Sequence, residues 1–298
     1  MTPEIARAAI GRRFPMVDTR DIECIGSGWE FDVYATGDGW AFRFPRRAET
    51  EGLFERERPV LEIATSALSG RVAVPRVELV GEATPEFPYR FAGHRLIRGV
   101  TADSLDPPLR SILAVDIAGA LGAIHEIDVD HARRAGVVQA DPDEIGRQTW
   151  FANSIRAAEK ARGSDPIVDH ALDWARRFNW PSDLFDFPLC LVHQDLGTDH
   201  LIADPRTGHL VGIIDWTDTT LGDAARDFVF LVAWRGWEYA ADVLRRYPRS
   251  VDERFGYRVD LMARILTVSW LGVAQQQGED VAPQIEWLRH AFSKGQSH

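Results

Sequence analysis

Two short apolar runs, each delivering a carboxylate into a polar turn, constrain this chain more than any other feature. Leu191-Val192 runs into His193-Gln-Asp-Leu-Gly-Thr-Asp-His200, and Val211-Gly-Ile-Ile214 runs into Asp215-Trp-Thr-Asp218. Apolar runs this short, bounded by turn formers, read as buried strands. Lying one hairpin apart, they bring Asp195 and Asp215 to one spot. Such a pair suits charge chemistry. One carboxylate accepts a proton from, or orients, a hydroxyl, and the other holds a hard cation. Either residue alone reads equally well as a turn Asp bonded to local backbone. The pairing, and the five-residue step from Asp195 to His200, favour chemistry.

Around these runs the chain is β-rich first and α-rich afterwards, the α+β pattern. Residues 1–20 hold a short helix. Residues 21–47 read as strands at Ile22–Ile25, Phe31–Tyr34 and Trp40–Phe44, with a turn at Gly37-Asp-Gly39. A helical pattern covers 48–68, and Pro59 marks a kink or a late start. Short strands follow near 76–80 and 89–97. Helices are expected at 111–125, 142–162 and 166–178, and throughout 224–292. Gly222-Asp223 reads as a turn with an N-cap. The expected division is a smaller unit, 1–97, with a hinge near 94–101, and a helical unit, 98–298.

Composition removes several classes. The chain has 298 residues, 45% of them hydrophobic, enough for a large core or two lobes sharing a cleft. The net charge of −11 argues against a nucleic-acid partner. Most of that charge is attributed to solubility, and a cationic ligand would also suit it. No N-terminal apolar segment resembles a signal peptide, and no apolar run approaches about 18 residues, so no membrane partner is expected. Two distant cysteines, Cys24 and Cys190, fit a reducing, cytoplasmic setting. A monomer is expected. Lys160 and Lys294 are the only lysines, so any functional cation in the first half must be an arginine.

Arg43, on the strand Trp40–Phe44, is then the candidate phosphate-holding cation, paired with Glu57 or its rival Glu55. A charge on such a strand is more often simply solvated. Gly26-Ser-Gly28 would let backbone approach a phosphate, although the same triplet alone usually marks a turn. His193 is assigned to loop support, and Asp227 to bracing the loop from the following helix. His200 is a candidate metal ligand by position, although Mg2+ prefers oxygen. Asp218 is a further ligand or faces the acceptor.

Taken together, these residues resemble the antibiotic phosphotransferase family, which shares the protein kinase fold. His193-Gln-Asp-Leu-Gly-Thr-Asp-His200 resembles its His-Gly-Asp-Leu-x-x-x-Asn loop. Gly212-Ile-Ile-Asp-Trp-Thr-Asp218 and Gly222-Asp-Ala-Ala-Arg-Asp-Phe228 resemble its metal-binding segment and following helix. Phe42-Arg-Phe-Pro-Arg46 and Arg56-Glu57 resemble the strand and helix carrying its Lys–Glu pair, and Ala92–Gly99 its hinge. The resemblance covers about 22–235. It implies a bilobal α+β fold, an ATP or GTP donor, and Mg2+ on Asp215 and His200. Asp195 would be catalytic. Gly26, Ser27, Gly28, Arg43, Glu57 and the hinge residues His94, Arg95, Leu96 and Ile97 would hold the nucleotide. Three departures stand out: Gln194 for Gly, His200 for Asn and Arg43 for Lys. His200 resembles the aminoglycoside 2''- and macrolide phosphotransferase branches, and Arg43 resembles the macrolide branch.

The implied acceptor is an antibiotic hydroxyl. An aminoglycoside, ranked first, wants acids such as Asp199, Asp218, Glu238 and Asp242. A macrolide wants apolar wall, such as Trp150, Phe151, Trp234 and Trp237. A small-metabolite kinase and a nucleotide-binding pseudokinase complete the alternatives.

Overall fold

The computed structural model describes residues 1–140, 144–181 and 186–293. Helix α1 (Pro3–Arg13) leads into strands β1 (Ile22–Ser27), β2 (Phe31–Thr36) and β3 (Trp40–Pro45). Helix α2 (Leu53–Ala67) follows, then β4 (Leu79–Gly81) and β5 (Phe91–Arg95). The five strands form one antiparallel sheet, ordered β1-β2-β3-β5-β4. Strand β3 shows why the sheet works. Its side chains alternate between faces. Trp40, Phe42 and Phe44 join Ala6, Ala9, Ile10 and Phe14 in one aromatic core. Ala41 and Arg43 line a cleft on the other face. Gly93 permits this packing, because a Cβ there would lie 2.5 Å from the Phe42 ring.

Helix α2 runs through Pro59 from Leu53, so the proline neither delays nor ends the helix. Val60, Leu61 and Ala64 join a second core shared with the helical part of the chain. That part begins with β6 (Val100–Thr101), α3 (Arg110–His125), α4 (Val129–Arg134), α5 (Glu144–Ala158) and α6 (Pro166–Arg177). The expected start of α5 at 142–143 lies outside the described residues. Next come β7 (Leu189–Val192), β8 (Leu201–Ala203), β9 (Leu210–Ile213) and β10 (Thr220–Asp223). The helices α7 (Arg226–Arg246), α8 (Phe255–Gln277) and α9 (Ala282–Phe292) complete the described fold.

The paired runs sit in separate small sheets: β7 with β10, and β8 between β6 and β9. Gly222-Asp223 is therefore a strand end rather than a free turn, because β10 pairs with β7 at Gly222↔Cys190. Asp223 is not the N-cap of α7 either: that position is Ala225, without a side-chain cap, and Asp223 Oδ1 accepts from the Ala225 amide at 3.1 Å. The segment 107–125 is long and apolar enough to cross a membrane, with mean hydropathy 1.3. The sequence expectation of no such run was too strict. Here 44% of that segment is buried, and Leu113, Ile117, Leu121 and Ile124 belong to the main core.

Candidate active site

Asp227, in the first turn of α7, organises the loop after β7. It is fully buried, and its two oxygens accept from the backbone amides of His193 (3.0 Å) and Gln194 (2.8 Å). His125 of α3 reaches the same carboxylate through Nε2 at 2.9 Å, while its Nδ1 meets the Tyr247 hydroxyl at 2.7 Å. Burial pushes the Asp227 carboxyl up, but His125, His193 and the amides outweigh it and leave it low. Asp227 thus braces the loop as its position suggested. His193 is also fully buried. Its Nε2–H donates to the Ile214 carbonyl at 3.0 Å, tying the Asp195 loop to the strand end that carries Asp215.

Gln194 stands at φ +73°, a region that favours glycine. Gln in place of Gly therefore carries a backbone cost here. Asp195 follows, half-buried in the loop between Gln194 and Leu196. Burial raises its carboxyl above the ordinary value, with His200 opposing.

His200 Nδ1 lies 2.6 Å from the Asp195 carbonyl. A carbonyl only accepts, so Nδ1 carries the proton in the neutral ring and Nε2 keeps its lone pair. Nε2 is 3.8 Å from Asp215 Oδ2 and 3.6 Å from Asp199 Oδ2. Two ligands on one Mg2+ ion, with bonds of ~2.1 Å, lie at most ~4.2 Å apart. Those separations lie within that span, so Asp215 and His200 would be the residues to hold such an ion. Asp215 takes φ +58°, which Asp tolerates. Burial pushes its carboxyl up, but Arg43 and His200 bring it below the usual range.

Arg43 Nη1 donates to Glu57 Oε2 at 2.5 Å, and the Glu57 side chain is fully buried. Glu57 Oε1 accepts from the Trp216 amide at 2.9 Å. One carboxylate of α2 thus fixes both the cation and the backbone beside Asp215. The second guanidinium nitrogen meets Thr217 Oγ1 at 3.0 Å and Asp215 Oδ1 at 3.4 Å. Burial opposes the charge on Arg43, but Glu57 and Asp215 raise its pKa, so it stays a cation. The rival Glu55 faces away and pairs with Arg90 at 2.7 Å.

These groups line one end of a cleft of about 630 Å3 that runs back past Gly26, Ser27 and Gly28 to His94, Leu96 and Ile97. Arg95 is a correction. It is exposed and stacks 3.8 Å over the Trp40 ring, because strand alternation turns it away from His94. Neither Gly26 nor Gly28 is required sterically, since an added Cβ would meet only ordinary contacts at 3.9 Å.

The three proposed acceptor-binding acids separate. Asp199 lines the same cleft as Asp215 and sits on the His200 side. Asp218 is exposed. Burial and Asp215 raise its carboxyl, with Arg226 opposing. Glu238 is exposed on α7 beyond Gly236. No interaction among the described residues brings it to Asp195. Sequence reasoning missed Thr217, Trp216, His125 and Glu30. Glu30 has its carboxyl raised by burial, then by Asp218 and Asp215. Trp216 is fully buried and edges onto His193 at 4.8 Å between centroids. Its place after Ile-Ile-Asp was the one available signal.

The profile of the phosphotransferase enzyme family (APH) matches residues 21–259, most of the chain. The chain belongs to this family. Among curated proteins, this phosphotransferase is 24% identical over 243 residues to uncharacterized protein YcbJ of Bacillus subtilis (strain 168), covering 75% of this chain and 74% of that protein. It is 23% identical over 176 residues to acyl-CoA dehydrogenase family member 11 of Rattus norvegicus. That match covers 58% of this chain but only 21% of the longer protein. Among solved structures, a GDP complex of aminoglycoside 2'-phosphotransferase-IIIa superposes with TM-score 0.76 at 19% identity, covering 98% and 99% of the two chains. Macrolide 2'-phosphotransferase type I gives 0.66 at 22% identity, covering 97% and 95%. At these identities the likeness establishes the kinase-like fold of this phosphotransferase.

Proposed function

We propose that this phosphotransferase moves the γ-phosphate of ATP or GTP to a hydroxyl of a small antibiotic-like acceptor, with Mg2+ held by Asp215 and His200. The observation that carries this reading is the junction at Asp195. The carboxylate sits beside the His200–Asp215 donor pair, with Arg43 held on Asp215 from the opposite wall. Phosphoryl transfer requires positioned charge rather than covalent help from the protein. Residues 1–97 and 98–298 would be the lobes enclosing the nucleotide. The cleft residues from Gly26 to Gly28 and from His94 to Ile97 would hold it, Arg95 excepted.

Arg43 binds donor phosphate oxygens, kept charged and aimed by Glu57. Bound Mg2+ would neutralise phosphate charge as it shifts onto the leaving diphosphate. Asp195 orients the acceptor hydroxyl and takes its proton as the new O–P bond forms and the β–γ bridge breaks. Its raised pKa suits that proton transfer. Asp227 and His193 hold the loop in place and touch no reactant. Both antibiotic classes stay in view, because the structural neighbours include aminoglycoside and macrolide enzymes.

Nucleoside diphosphate release, measured with ATP and with GTP over a panel of aminoglycosides and macrolides, tests the reading. Asp195→Ala is expected to lower kcat by ~10²–10⁴-fold, the usual worth of a general base, while nucleotide binding persists. Full activity in that variant would remove Asp195 from the chemistry. Tight nucleotide binding with no turnover on any acceptor would favour a pseudokinase instead.

A further inference from the structure

A second cavity, of about 310 Å3, shares no lining residue with the cleft that holds Arg43 and Asp215. Gln194 and Arg226 line it, and Arg226 acts electrostatically on both Asp195 and Asp218. The cavity thus reaches Asp195 through its chain neighbour Gln194 and through Arg226. Its wall is predominantly apolar: Trp150, Trp180, Phe187, Met262, Ile265 and Leu266 come from α5, α8 and the segments leading into β7. Its one acid among the described residues, Asp223, is already committed. Both Asp223 oxygens accept from Arg258, at 2.6 and 3.2 Å. Among the described lining residues, a polycation would find no uncommitted carboxylate. An apolar body would gain by burial.

Gln194 adds an independent observation. Glycine would meet the backbone demand at φ +73° without strain, yet this chain places a side chain there, beside a ligand-sized cavity. Strain kept at such a position points to a functional side chain. We infer that this cavity is the acceptor site, that its acceptor is a predominantly apolar alcohol rather than a polycationic sugar, and that the Gln194 amide anchors the alcohol beside Asp195. This rests on the phosphotransfer reading. The acceptor oxygen forms the new bond to γ-phosphorus, the nucleoside diphosphate leaves, and the hydroxyl proton passes to Asp195.

The test uses the full chain with Mg2+ and ATP or GTP, and follows diphosphate release and tryptophan fluorescence in parallel. The probes are decan-1-ol, a monocyclic terpene alcohol and a steroid alcohol, against kanamycin. At least one neutral alcohol is expected to stimulate diphosphate release and to change the fluorescence saturably, while kanamycin does neither. Leu266→Asp should raise the KM for that alcohol about ten- to a hundred-fold, as loss of one large apolar contact does. It should leave the nucleotide KM unchanged. Leu266→Met, which conserves volume, should restore wild-type values. Gln194→Gly should raise the alcohol KM while leaving the nucleotide KM in place. Stimulation by kanamycin and by none of the alcohols would overturn the inference and leave phosphotransfer standing. So would a folded Leu266→Asp variant with an unchanged alcohol KM. If no acceptor stimulates release although nucleotide binds, the phosphotransfer reading falls. Fluorescence then decides the cavity alone: saturable alcohol binding lost in Leu266→Asp supports it, and no binding overturns it.

Discussion

Gln194 shows how much one residue can carry in this site. Its amide is held by Asp227 at 2.8 Å, so the chain cannot relax out of φ +73° without abandoning the brace. Replacing it with glycine removes left-handed strain of ~1–2 kcal/mol and adds the entropy penalty of a freer unfolded chain. The expected outcome is a gain of about 0.5–1 kcal/mol in unfolding free energy, read from denaturant midpoints. Arg43 is the opposite case. Arg43→Ala would strand the Glu57 carboxylate, whose side chain is fully buried, and removing one partner of a buried pair costs about 3–5 kcal/mol. Arg43→Lys keeps the charge but cannot reach Glu57, Thr217 and Asp215 at once. It should fold while losing about ten-fold in nucleotide affinity, one or two charge-assisted bonds' worth. Asp195, Asp215, Asp227 and the Arg43–Glu57 pair were legible because motif spacing and the lysine shortage pointed at them. Thr217 was not, because a hydroxyl bridging two charged groups leaves no trace in spacing. Arg95 was misplaced because its motif was carried over without applying the two-residue alternation of its own strand.

At the scale of elements, helices α5 and α8 lie so close that glycine is required between them. A Cβ on Gly272 would sit 2.3 Å from the Ser154 carbonyl oxygen, backbone that cannot step aside. Gly272→Ala should therefore lower the unfolding free energy by about 1–3 kcal/mol through overpacking. Gly119, in α3, has nothing within 4 Å of its built Cβ. Gly119→Ala there should stabilise by up to about 1 kcal/mol, the difference in helix propensity. Opposite shifts in Tm for one chemical change would separate contact from propensity. Long periodic elements were readable in advance, and α3, α6 and most of the first sheet fall near their expected ranges. The helical run expected over 224–292 divides into three, and α7 breaks at Gly236 with φ +75°. Periodicity survives such breaks, so it does not announce them. Strand β10 was read as a turn because Thr220-Leu-Gly-Asp223 is half turn formers. Its pairing partner, β7, lies 30 residues earlier, beyond any local window.

For the whole molecule, two buried histidines link stability to pH from either side of the cleft. His94 lies in the first sheet and His193 under the Asp195 loop, and burial holds both down at about 4. His94 separates the effect from the Asp195 site, because among the described residues its hydrogen bond is from Nδ1 to the Arg95 carbonyl at 2.9 Å. The folded pKa lies below the unfolded value of about 6.5. Between those values the unfolded chain binds more protons, so stability rises with pH through that window. The His94 contribution is present above 6.5 and is lost as pH falls toward 4. From pH 7 to pH 5 the expected loss is about 2 kcal/mol. Asp195 and Asp218, whose carboxyls are raised, act in the opposite sense, gaining stability as pH falls toward 3.8. The raw pH profile therefore mixes opposed terms, and the informative quantity is a difference between variants. His94→Gln keeps a side-chain amide without a titrating group. Urea midpoints at pH 7 and pH 5 should show the wild type losing about 2 kcal/mol more than this variant. Parallel losses in the two proteins would mean that His94 is already solvated enough in the folded state to protonate at its ordinary pKa. The His94 end of the cleft would then be a wet site rather than a dry one.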